Sequence, residues 1–205
     1  MLKKRVIPLL LLKNGRMVKG KQFNNFVYTG NPLTTVKVYS SQEADELMFI
    51  DIGQSKESQN ILIRTINKVS KECNMPLAAG GGIKSVDDVR NLLLAGADKV
   101  IINSKLIDNP NLIKQIAEIF GSQCVIGGID YKIENGSNNL AVYKDCGKTK
   151  LNLNPIEYSK KLESYGVGEI LLNSIDNDGM MNGYDINLIK MISSSLKIPL
   201  IACGG

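Results

Sequence analysis

The 205-residue sequence contains no histidine, so proton transfer near neutral pH falls to carboxylates, lysine, cysteine or tyrosine. Asp130 is the leading candidate. It follows the apolar run Cys124–Ile129, and a carboxylate at the C-terminal end of a strand in a parallel strand–helix fold usually faces the ligand rather than capping a loop. Asp51, Asp176 and Asp178 end or follow apolar runs in the same manner. Beside these acids stand turns suited to anions: Gly80-Gly81-Gly82, Asn103-Ser104 and Gly204-Gly205 each close an apolar run. Glycines let backbone N–H groups approach a phosphate, and a helix starting there adds a favourable dipole; the alternative is a plain tight turn. Together these residues suit acid–base work on a phosphorylated small molecule. Gly81, Gly82 and Gly204 are its backbone candidates.

Arg5, Glu46, Lys99 and Glu169 form a second set, each at the start of an apolar run. Any one alone would simply keep a strand end wet. Two cations and two anions crowding the same end of neighbouring strands are expensive unless paired. The four cysteines, Cys73, Cys124, Cys146 and Cys203, lie far apart with no CxxC pair, so they carry neither a zinc-site nor a disulfide signature. Neither metal nor cofactor is expected.

These residues need elements to hold them. Short aliphatic or β-branched runs at Arg5–Leu11, Leu47–Ile52, Leu77–Gly80, Val100–Asn103, Cys124–Ile129, Ile170–Asn173 and Leu200–Cys203 read as seven strands. They are apolar almost throughout, as strands buried on both faces should be. Between them apolar residues recur at helical spacing: Leu62, Ile63, Ile66 and Val69; Val86, Val89 and Leu93; Ile113, Ile116 and Phe120. Helix starts are marked by Ser85 with Asp88 as a capping box, by Asn109-Pro110 and Asn154-Pro155 as a cap before an N1 proline, and by Asp185. The glycines after the third and seventh strands, and the polar turns Lys13-Asn14-Gly15 and Lys132 to Gly136, recur at an offset of about 120 residues, which implies two related halves of four strand–helix units. The expected fold is α/β, a (β/α)₈ barrel of duplicated half-barrels, with residues 1–205 as a single domain. Such a barrel takes roughly 250 residues, so the chain is expected to be incomplete, truncated after strand seven.

Composition narrows the partners. A hydrophobic content of 43% with 22% charged residues is that of an ordinary globular chain, and the net charge is only +5. Beyond Lys3-Lys4-Arg5 there is no block of basic residues interleaved with aromatics, so nucleic acid is not an expected partner. No apolar run approaches the roughly 20 residues needed to span a bilayer, and no secretion signal opens the chain; a cytoplasmic location is expected.

The ordered set Arg5-Val6-Ile7-Pro8-Leu9, Gly15-Arg16, Lys19-Gly20, Asp45-Glu46 through Asp51, Ala79-Gly80-Gly81-Gly82-Ile83, Gly96-Ala97-Asp98-Lys99-Val100, Phe120-Gly121-Ser122-Gln123, Ser174-Ile175-Asp176-Asn177-Asp178-Gly179 and Gly183-Tyr184-Asp185 resembles the cyclase subunit of imidazole glycerol phosphate synthase. The resemblance implies a histidine-biosynthesis barrel that receives ammonia from a docked glutaminase, and an aspartate at the end of strand one acting with another at the end of strand five. The second is Asp130. The first is absent, its place taken by Leu11. Met180 and Met181 likewise stand where smaller polar or basic residues usually line the mouth. The resemblance further implies that Gly81, Gly82, Asn103 and Ser104 hold one phosphate of the substrate, that Gly204 belongs to the site of the second, that Asp178 and Gly179 line the substrate site, and that the loop bearing Lys19 closes over it. It also implies that Arg5, Glu46, Lys99 and Glu169 gate the ammonia, and that Asp98 faces the glutaminase.

Leu11 beside an intact gate favours a relative devoted to acetamidino-sugar formation for surface polysaccharides, passing ammonia to a sugar-modifying amidotransferase. The runner-up is a working histidine-pathway cyclase. A third reading is a non-catalytic subunit that activates the glutaminase.

Overall fold

The computed structural model describes residues 4–53, 55–134 and 139–205. It divides into two compact units, Met1–Lys19 with Val27–Ile101, and Gly20–Phe26 with Ile102–Gly205. In the first unit, β1 (Leu9–Lys13), β4 (Leu47–Asp51), β5 (Leu77–Gly80) and β6 (Lys99–Ile102) pair in parallel in that order. The helices α1 (Pro32–Ser41), α2 (Lys56–Val69) and α3 (Val86–Leu94) connect them. Leu47, Phe49, Leu62, Ile66, Leu77, Val89 and Leu92 are buried here, which is why the strands read as continuous apolar runs and the helices as apolar stripes.

The second unit repeats the plan. Helices α4 (Ser104–Asp108) and α5 (Asn111–Phe120) lead to β7 (Val125–Glu134), followed by α6 (Pro155–Tyr165), β10 (Glu169–Ser174), α7 (Ile186–Ser195) and β11 (Leu200–Cys203). β7, β10 and β11 are parallel neighbours. The leading strand of each unit carries an antiparallel excursion: β1 pairs with β2 (Arg16–Lys21), which neighbours β3 (Asn24–Gly30), and β7 pairs with β8 (Asn139–Lys144), which pairs with β9 (Thr149–Lys150). The fold class is therefore the expected α/β one, seven parallel strands alternating with helices as in a (β/α)₈ barrel. The matching excursions bear out the two related halves. Asn135 and Gly136, part of the second polar turn, lie outside the described residues.

Several sequence-derived boundaries move. The first strand starts at Leu9, not Arg5: Pro8 has no N–H to give a ladder, and Val6 is held instead by the Asp45 side chain, which accepts its N–H at 2.8 Å. The fifth expected strand runs on to Glu134 because β8 continues the pairing beyond Asp130. Ser85 and Asp88 do form the capping box, Asn154 accepts the Ile156 N–H before its N1 proline, and Asp185 accepts the Leu188 N–H. Asn109 does not cap α5. Its N–H donates to Lys105 O, closing α4, and Pro110 holds the cap position with no side-chain bond. Among the described residues no helix is long and apolar enough to cross a membrane.

Candidate functional site

Asp130 lies midway along β7, where the antiparallel pairing with β8 begins, one residue before the parallel pairing with β10 ends at Tyr131. Its register partner on β10 is Asn173, so the two side chains leave the same face of neighbouring strands. Asn173 Nδ2 donates to Asp130 Oδ1 at 3.3 Å, and Asn103 Nδ2, at the end of β6, donates to Oδ2 at 2.7 Å. Burial pushes the Asp130 carboxyl up to about 7; the two amides pull it down and the charge of Asp178 adds to the rise. An acid poised there can give or take a proton near neutral pH. Asn173 was not anticipated from the sequence, although the signal was the one that marked Asp130: a polar side chain closing an apolar strand.

The other expected site residues fall into groups. Asn103 belongs to the Asp130 cluster. Ser104 sits beside it, with its Oγ accepting the Asp145 N–H at 3.0 Å. Asp178 accepts the Gln22 N–H on its backbone oxygen at 2.8 Å, and Gly179 packs on the Gly20 carbonyl. Asp176 is structural in part, since its carboxylate accepts the Ile133 N–H at 2.8 Å. Gly204 is buried against the Ser174 backbone and Asn173. Met180 and Met181 are both exposed.

In the first unit, Gly81 has φ +116°, and a Cβ there would stand 2.2 Å from Asp51 O; only glycine fits this close approach. Gly82 has open space where a Cβ would be. The Asp51 side chain, which sequence placed among the candidate acids, is tied to the Gly53 N–H at 3.2 Å and to Ser58; burial raises its pKa, and these bonds oppose the rise. Lys19 is exposed on the regular strand β2, not in an irregular loop. Leu11 is half-buried on β1 between Ile50 of β4 and Val18 of β2.

At the starts of the strands in this unit, Glu46 is buried to 1% exposure and takes both cations: Arg5 NH1 at 2.7 Å and Lys99 Nζ at 2.5 Å. Three of the four expected gate residues are thus brought together. Glu169, buried to 8% exposure at the start of β10, belongs to the second unit. Asp98 is exposed and accepts the Leu77 N–H at 2.8 Å, while its own N–H donates to Leu77 O. Among the described residues no group of three or more Cys, Asp or Glu side chains is placed to hold a metal ion.

A strand-end acid set between two amides and a paired charge cluster at the strand starts are thus the features of this chain's geometry, and a family model described as histidine biosynthesis protein matches residues 5–205. The chain belongs to the histidine biosynthesis protein family. Within that family it is 44% identical to the imidazole glycerol phosphate synthase subunit HisF of Methanocaldococcus jannaschii, over all of this chain and 82% of the relative. It is equally 44% identical to the subunit of the same name from Lactococcus lactis subsp. cremoris, over all of this chain and 79% of that protein. The HisF subunit of Methanococcus vannielii is 43% identical, again over all of this chain and 82% of the relative. All three relatives carry the histidine-pathway name, so the comparisons back that reading, the runner-up from sequence, better than the acetamidino-sugar one.

Proposed function

We propose that this chain is a cyclase subunit of the imidazole glycerol phosphate synthase type, taking ammonia from a glutaminase partner in a heterodimer. The observation that carries this is Asp130, a strand-end carboxyl set between two amides and poised at about 7. It serves as the acid–base group on a bisphosphate substrate. Gly81, Gly82, Asn103, Ser104 and Gly204 supply the phosphate-binding turns, while Lys19, Asp178 and Gly179 flank the substrate. Arg5, Glu46, Lys99 and Glu169 form the gate for ammonia, and Asp98 contributes to the face that meets the glutaminase.

The test is turnover of the histidine-pathway bisphosphate, PRFAR, with ammonium salt, read as imidazole glycerol phosphate and AICAR. Turnover that falls roughly 10²–10⁴-fold in Asp130→Asn supports the assignment. Product formation unaffected by that change would refute it.

Leu11 favours a second reading. A leucine moves no proton, so a reaction that needs two acid–base groups lacks one here, and the ammonia would go instead to a sugar-modifying amidotransferase making an acetamidino sugar. The two readings part on Leu11→Asp. If the cyclase reaction is slow only for want of this group, the variant gains roughly 10²–10⁴-fold on PRFAR. If the substrate end serves another acceptor, neither the parent chain nor Leu11→Asp turns PRFAR over.

A further inference from the structure

We propose that Asn173 is a positioning residue for Asp130, acting with Asn103 to hold the carboxylate by one N–H on each of its two oxygens. The inference rests on the acid–base reading of Asp130 given above. Each amide addresses a different oxygen, Asn103 at 2.7 Å and Asn173 at 3.3 Å. An ionised carboxylate only accepts, and both amides turn their N–H₂ ends to it, as that state requires. The consequence is visible on the other side of each amide: the Oδ1 atoms of Asn103 and Asn173 are buried without a hydrogen-bond partner. Turning either amide round would set a carbonyl oxygen against the carboxylate. The arrangement therefore gives up two buried acceptors, a real cost, in order to keep two donors on Asp130.

The neighbourhood supports the orientation. Parallel register sets Asn173 directly beside Asp130. A Cβ on Gly204 would stand 2.8 Å from Asn173 Oδ1, so the side-chain-free residue at the end of β11 is what leaves room for the amide in this pose. The charged or titratable groups that bear on the cluster are Asp178, after β10, and Cys203, on β11. Neither donates to the carboxylate in the structure, which leaves the two amides as its side-chain donors among the described residues.

The experiment compares the intact chain with Asn173→Leu, which keeps the volume and removes the donor, and Asn173→Gln, which keeps an amide donor. Two readouts are taken: the pH profile of ammonium-dependent turnover, and the titration of the Asp130 carboxyl carbon by NMR, assigned by its loss in Asp130→Asn. Loss of a donor to the ionised form raises the pKa. In Asn173→Leu the carboxyl midpoint, and the limb of the profile that reports Asp130, should move up by about one pH unit, with Asn173→Gln staying closer to the parent. A uniform loss of activity at every pH with an unmoved carboxyl titration would overturn the proposal, as would a Leu variant that titrates like the parent. The titration needs no turnover. Should PRFAR prove not to be a substrate, the functional reading fails while the positioning role is still decided.

Discussion

Asp130 carries a thermodynamic signature that its chemistry makes unavoidable. Its carboxyl is raised from 3.8 to about 7, chiefly by burial, so between those values the folded chain keeps a proton that the unfolded chain has lost. Stability from this residue is therefore full below about pH 4 and is lost as the pH rises to about 7. At pH 8 the folded state bears a buried charge worth about 4 kcal/mol at most, the three-unit shift converted at 1.36 kcal/mol per unit. Asp130→Asn removes that charge and keeps the shape. Relative to the parent, the variant should melt several degrees higher at pH 8 than at pH 4.5 while losing activity at both, because its N–H₂, which meets an amide donor, costs the same at every pH. Thermal melts across that range check it; a gap that is constant with pH would mean the carboxyl is not buried as a charge. The same residue shows what sequence could and could not give. The absence of histidine and the strand-end position picked out Asp130, but its partners come from two other strands, and only register reveals that Asn173 faces it.

Among the elements, the parallel strands and their helices were legible because burial on both faces makes strands continuous apolar runs and cap chemistry marks the helix starts. The antiparallel excursions were not. β3 is exposed or half-exposed along its whole length, so it offers no alternation to read, and the tip between β2 and β3 is held by contacts distant in sequence. In the second unit, the Gln22 N–H donates to Asp178 O at 2.8 Å and Gln22 Nε2 to Asp176 O at 2.9 Å. Phe23 packs against the buried cluster of Ala141, Tyr143 and Ile175. That tip belongs to the hairpin bearing Lys19, which the resemblance marks as a substrate-covering segment. Phe23→Ala should loosen it without unfolding the strands beneath: amide exchange of Gln22 speeds up at least tenfold, while the amides of β7 and β10 keep their protection. Equal acceleration in those strands would show that Phe23 supports the whole unit and not the tip.

For the whole chain, the two units share a device, since β1 in the first and β7 in the second each throw out an antiparallel excursion, and charged residues open strands in both. Glu46 is the clearest case, since it is almost fully buried and two cations share its carboxylate. Such a cluster is poor evidence for stability in itself, because desolvating the charges offsets most of their attraction, yet removing Glu46 breaks two ion pairs at once, one to Arg5 and one to Lys99. Glu46→Ala should therefore destabilise the chain, by about 3–5 kcal/mol at most, whereas Glu46→Gln keeps a similar shape and an acceptor oxygen for one of the two cations. The conservative variant is the informative one. If these residues admit ammonia from a bound glutaminase, Glu46→Gln should leave turnover with added ammonium salt near the parent level and lower turnover driven by glutamine several-fold, because only the second route uses the gate. A matched fall in both would assign Glu46 to the fold alone. A change in neither would mean that ammonia enters elsewhere.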